Sequence, residues 1–67
     1  MITSHRLEAL MYDLPLLLAA TRRRSGYSMH AVAMQAGCAV STISRVEAGY
    51  SCDVKTLILV LRWIETQ

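Results

Sequence analysis

Apolar positions recur along the chain at helical spacing, in short segments separated by glycine-containing breaks. Leu7, Leu10 and Met11 fall on one face after Ser4, a possible N-cap, so residues 1–12 read either as a short helix or as a frayed arm. Asp13-Leu14-Pro15 reads as a helix start, with an acidic cap and a proline in the first turn, where a missing N–H is harmless. That helix runs to Arg24 or Ser25, turns Leu14, Leu17, Leu18 and Thr21 inward, and stops at Gly26. Ser28 caps the next segment, in which Val32 and Ala36 form the expected buried pair, and Gly37 ends it. A third helix covers Val40 to Ala48, with Ile43, Val46 and Glu47 facing the scaffold and Val40, Ser41, Ser44 and Arg45 facing out. After a Gly49-Tyr50-Ser51-Cys52 loop, Asp53 caps a last helix from Val54 to about Glu65. Its stripe of Val54, Leu57, Ile58, Leu61 and Ile64 is expected to meet the core, which leaves Leu59, Val60 and Trp63 on an uncovered side.

The two segments from Ser28 to Gly49 flank a tight Gly37-Cys38-Ala39 connection, the pattern of a helix-turn-helix whose second helix can enter a DNA major groove. The predicted fold is all-α, a compact domain of four to five helices over residues 13–67, preceded by the segment 1–12. Sixty-seven residues are near the lower limit for a core without metal or disulfide help. The 54% hydrophobic content is high for that length and points to self-association. Its longest apolar runs are too short to span a membrane, and Glu8 and Asp13 break any signal-peptide core, so a cytoplasmic location is expected.

Cys38 and Cys52 form no C-x-x-C pair, and His5 and His30 do not complete a metal-ligand spacing, so reduced thiols and no metal or other cofactor are expected. The formal charge of +2 is unevenly distributed: from Thr21 to Arg62 six basic residues stand against two acidic ones. This bias suits phosphate contact without requiring it. Arg23 and Arg24, in the last turn of a helix, can equally be a solvated basic end.

Leu18 to Arg22, Gly26 to Ser28, Val32-Ala33, Ala36-Gly37, Ser41 to Gly49 and Asp53 to Leu57 together make the pattern LxxxR, GxS, VAxxAGxxxSTISRVEAG and DVKTL. This resembles the lambda-type repressor and Cro family, also called XRE-like helix-turn-helix proteins, over roughly residues 14–64. The resemblance implies that Val40, Ser41, Ser44 and Arg45 face the major groove. Their chemistry agrees: Arg45 can bond to guanine O6 and N7, the serines to several bases, and Val40 can touch a thymine methyl. Ser28, Thr42, Tyr50, Ser51, Lys55 and Arg23 are the candidate phosphate contacts, although Tyr50 also suits a half-buried loop aromatic. The resemblance further implies a structural ion pair between Arg22 and Glu47. Three positions depart from the family: Ala39 stands at the cap of the third helix, a deficit of about 1 kcal/mol that Ser41 or bound DNA can offset, while Met29 where a glutamine is usual and Ala48 where a polar residue is usual weaken the grip on phosphate.

These features lead to a small DNA-binding repressor, with no small-molecule effector, that pairs as a homodimer through Leu59, Val60 and Trp63 on a two-fold-symmetric double-stranded operator. The competing reading is an antitoxin or regulatory adaptor that binds another polypeptide through its apolar last helix. No nucleophile–base pair or phosphate-cradling glycine loop can be assembled, which argues against an enzyme.

Overall fold

In the computed structural model the backbone is described for residues 4–67 and the side chains from Asp13 onward. Four helices follow one another: α1 (Ser4–Ser25), α2 (Met29–Ala36), α3 (Val40–Glu47) and α4 (Val54–Glu65). Both α1 and α2 pack on α3 and α4, and no strand occurs among the described residues.

The first helix is longer than its sequence predicts. Asp13-Leu14-Pro15 is not its start, because α1 passes through Pro15. A proline there withholds one N–H from the helix and crowds the preceding turn, which is why it reads as a boundary. Burial of Leu14 and Leu18 on either side holds the segment in place. Ser4, Leu7, Leu10 and Met11, the expected cap and apolar face of residues 1–12, lie outside the described side chains.

The core consists of Leu14 and Leu18 from α1, Val32 and Ala33 from α2, Ile43 and Val46 from α3, and Val60 and Trp63 from α4. Two positions of the predicted inner faces differ. Leu17 is exposed, since the inward arc of α1 is centred on Leu14, Leu18 and Thr21. In α2 the buried partner of Val32 is Ala33, and Ala36 is only half-buried; a short helix wedged between α3 and α4 presents adjacent positions to both.

The larger correction concerns α4. Val60 is fully buried and Trp63 is 4% exposed, whereas Val54 and Ile58 are solvent-facing. The helix is therefore rotated from the predicted orientation, and Val60 and Trp63 cannot form an intermolecular surface. Leu59 is half-buried and lines an open groove of about 270 Å³ with Gln35, Arg62 and Trp63. Periodicity could not settle this rotation because α4 is apolar nearly all round. The polar edge of Trp63 decides it: the indole Nε1 donates to Gln35 Oε1 at 2.9 Å, and the ring meets Tyr27 edge-on at 6.2 Å between centroids.

The starts of α2 and α4 follow their sequence signals closely. Ser28 Oγ accepts from Ala31 N at 3.1 Å and Asp53 Oδ1 from Thr56 N at 2.9 Å. Hydrogen bonding from Thr56 holds the Asp53 carboxyl below the usual carboxylate range. Cys38 and Cys52 are both free thiols, half-buried against the core, and that burial pushes both thiols up from their ordinary values. In the core itself, one polar atom stands out. Thr21 Oγ1 is buried with no hydrogen-bond partner.

Leaving a buried hydroxyl unsatisfied costs about 1–3 kcal/mol, whereas an apolar group of the same shape does not incur that penalty. Thr21→Val is therefore expected to raise the stability by about 1 kcal/mol, read as a higher urea midpoint at unchanged slope.

Candidate nucleic-acid interface

Helix α3 is placed by a turn and an ion pair. At the turn, Gly37 adopts the left-handed conformation at φ 83°, which a residue with a Cβ takes only under strain. This lets the Ala33 carbonyl accept from both Gly37 N at 2.9 Å and Cys38 N at 3.0 Å, closing α2 and redirecting the chain within three residues.

The ion pair links α1 to the far end of α3. Arg22 Nε donates to Glu47 Oε2 at 2.7 Å and Arg22 Nη2 to Glu47 Oε1 at 3.0 Å, a two-pronged contact that fixes direction as well as distance. A third donor, Nη1, reaches the Tyr27 carbonyl at 3.3 Å, while Tyr27 N donates to the Arg22 carbonyl at 3.1 Å. The side chains are 15% and 8% exposed, so the pair is substantially withdrawn from water. The bond to Glu47 raises the Arg22 pKa further and keeps the guanidinium charged. Arg22 and Glu47 thus hold the structural positions implied by the resemblance.

With Ile43 and Val46 buried, α3 turns Ser41, Ser44 and Arg45 to solvent on one face. Val40 is set apart from them: it is half-buried and packs on the core, so only part of its side chain is available. Ala48, just past the helix end, projects within the same outward arc. Its place on this face follows from plain helical spacing, i+4 from Ser44. A methyl there adds an apolar contact to a face otherwise made of two hydroxyls and one guanidinium. Arg45 makes no hydrogen bond or ion pair among the described residues, which leaves its five donors available.

Of the candidate phosphate contacts, Ser28, Tyr50, Ser51, Lys55 and Arg23 are exposed and Thr42 is half-buried. Ser28 uses its oxygen to cap α2 but keeps its O–H as a donor. Tyr50 is well exposed rather than half-buried in the loop, and its N–H donates to the Arg45 carbonyl at 3.0 Å, tying the loop to the end of α3. Ala39 has the backbone of a cap, at φ −78° and ψ 151°, but supplies no side-chain bond, so α3 starts without the acceptor that α2 and α4 each have.

No cluster of three or more potential metal-ligating side chains occurs among the described residues, and no helix there is long and apolar enough to cross a membrane. A helix-turn-helix domain family matches residues 13–53, well over half of the chain. No curated protein and no solved structure matches. The chain belongs to this family of DNA-binding helix-turn-helix domains, which is related to the lambda-type, XRE-like proteins.

Removing Arg22 strands a nearly buried carboxylate, so Arg22→Ala is expected to cost about 2–3 kcal/mol in chemical denaturation. The double variant Arg22→Met with Glu47→Leu is expected to recover most of that loss, since it leaves no unpaired charge. A double variant as unstable as the single one would show that the charged contact itself, and not only the avoidance of an unpaired carboxylate, stabilises the fold.

Proposed function

We propose that this domain is a sequence-specific transcriptional repressor which binds a two-fold-symmetric operator as a homodimer, with α3 in the major groove. The observation that carries the reading is the outward face of α3, where Ser41, Ser44 and Arg45 are solvent-exposed on a helix anchored by buried Ile43 and Val46 and by the Arg22–Glu47 pair. Of these, Arg45 has the chemistry of the main specificity contact, because its fork of donors matches the acceptor pair of guanine. Ser41 and Ser44 bond to bases permissively, and Ala48 and the exposed part of Val40 supply apolar contact. Tyr50, Ser51, Lys55 and Ser28 border this face in sequence and provide donors to the phosphates, which set register rather than sequence preference.

Repression follows from occupancy, since an operator covered by protein is closed to polymerase. An adaptor surface on the last helix could not use Val60 and Trp63, which belong to the chain's own core, and would be limited to exposed side chains such as Val54 and Ile58. The weak points of the phosphate grip, at Met29 and Ala48, make one copy a poor binder and favour two copies on paired half-sites about one helical turn apart.

Selection from a random DNA pool is expected to return a two-fold-symmetric site, and affinity for it should fall steeply and linearly on a log–log salt plot. Arg45→Ala is expected to keep the thermal midpoint while relaxing preference at one base position per half-site by about 1–3 kcal/mol. Uniform weakening on all sequences would reassign Arg45 to a phosphate, and salt-independent binding to random duplex would overturn the operator reading.

A further inference from the structure

Among the described residues, the face of α1 opposite Leu14, Leu18 and Thr21 is exposed and unusually apolar. Leu16 is 75% exposed, and Leu17 and Ala20 share its solvent-facing arc. Asp13 stands on the same arc at one end of this patch, and Arg23 and Arg24 stand on it at the other, all exposed. Their spacing in threes and fours places them along one side of the helix.

This arrangement is complementary to itself, but only in one direction. When a second α1 lies antiparallel with its Ala20 against Leu16, its Arg23 and Arg24 come level with Asp13, and the symmetry repeats every contact. A large side chain meets a small one at the two central positions, which lets the helix axes approach closely. A parallel arrangement would instead set basic residues against basic and acid against acid. Phosphate can satisfy Arg23 and Arg24 but repels Asp13, and neither phosphate nor water suits Leu16.

We propose that the outward face of α1 docks antiparallel on α1 of a second copy of this chain, through Leu16 and Ala20 at the centre and Asp13 with Arg23 and Arg24 at the flanks. This deepens the operator reading by giving the second copy a surface, in place of the α4 side chains buried in the core, and it moves Arg23 from a phosphate to a protein partner. The association itself needs no DNA.

Sedimentation equilibrium without DNA tests it. The unaltered chain is expected to show a reversible monomer–dimer equilibrium. Asp13→Arg alone, and Arg23→Glu with Arg24→Glu alone, are each expected to weaken it at least about tenfold, because both flanks become like-charged. An equimolar mixture of the two is expected to restore dimers, since opposite charges then face each other at both flanks. Leu16→Glu, at a position already in water, is expected to abolish dimers, and thermal melts establish that every variant is folded. A chain that stays monomeric up to about 1 mM, a mixture that associates no better than its components, or a folded Leu16→Glu that dimerises normally would overturn the proposal. Intact dimers that bind no symmetric operator would overturn the operator reading and leave this interface standing.

Discussion

The contact between Arg22 and Glu47 joins the last turn of α1 to the last residue of α3, and the orientation of α3 depends on it. Helix α3 has only eight residues, too few to be stable alone, so its direction must come from outside. Buried Ile43 and Val46 fix which face turns inward, but apolar contacts are non-directional and tolerate sliding. The two-pronged guanidinium–carboxylate contact supplies the missing constraint, because it closes only when both groups are coplanar and at the right height. The third arginine donor carries the same constraint to Tyr27, whose ring touches Trp63 of α4. A single residue of α1 thus orients α3 directly and meets α4 through one intermediary.

That rigidity contrasts with the start of α3. Ser28 and Asp53 tie off the first turns of α2 and α4 with their own side chains, while Ala39 leaves the first turn of α3 without such an acceptor. A cap there would be worth roughly 1 kcal/mol to the fold. The helix is therefore held at its C-terminal end by a charge pair and at its N-terminal end by the turn through Gly37 and by the packing of Val40 and Ile43. Where the domain is to dock on a polyanion, free backbone donors at a helix start are compatible with the partner, and an acidic cap such as Asp53 would not be.

Much of this could be read from residue order. Caps at Ser28 and Asp53, the turn at Gly37 and the buried pair Ile43 and Val46 all follow from signals within a few residues of each other, where local physics dominates. The exposed Ser41, Ser44 and Arg45 follow from the same spacing, and the Arg22–Glu47 pair from resemblance to a family, because nothing local to either residue names a partner 25 positions away. Two features resisted. Pro15 carries a strong local signal for a helix start, and the packing of Leu14 and Leu18 overrides it. The rotation of α4 resisted because nearly every side of that helix is apolar, so its inner face is chosen by one long-range hydrogen bond, from Trp63 to Gln35, and by the fit of Val60. Both failures arise where tertiary contacts decide between local alternatives of similar energy.

The run Arg22-Arg23-Arg24 brings these levels together. As composition it is simply a basic patch at a helix end, favourable against the helix dipole. Helical geometry separates it: successive side chains point about 100° apart, so Arg22 enters the interior toward Glu47 while Arg23 and Arg24 stay in water. The charge that enters the interior is tolerated because a carboxylate meets it there, and its role is to orient α3. The two that remain outside are not needed for the fold and are available to a partner. What that partner is depends on what shares their face, and Leu16, Ala20 and Asp13 on that side of α1 favour a protein surface of matching pattern over a phosphate backbone. The inner side of α1 accordingly sets how one copy presents α3, and its outer side carries the pattern proposed above to receive a second copy.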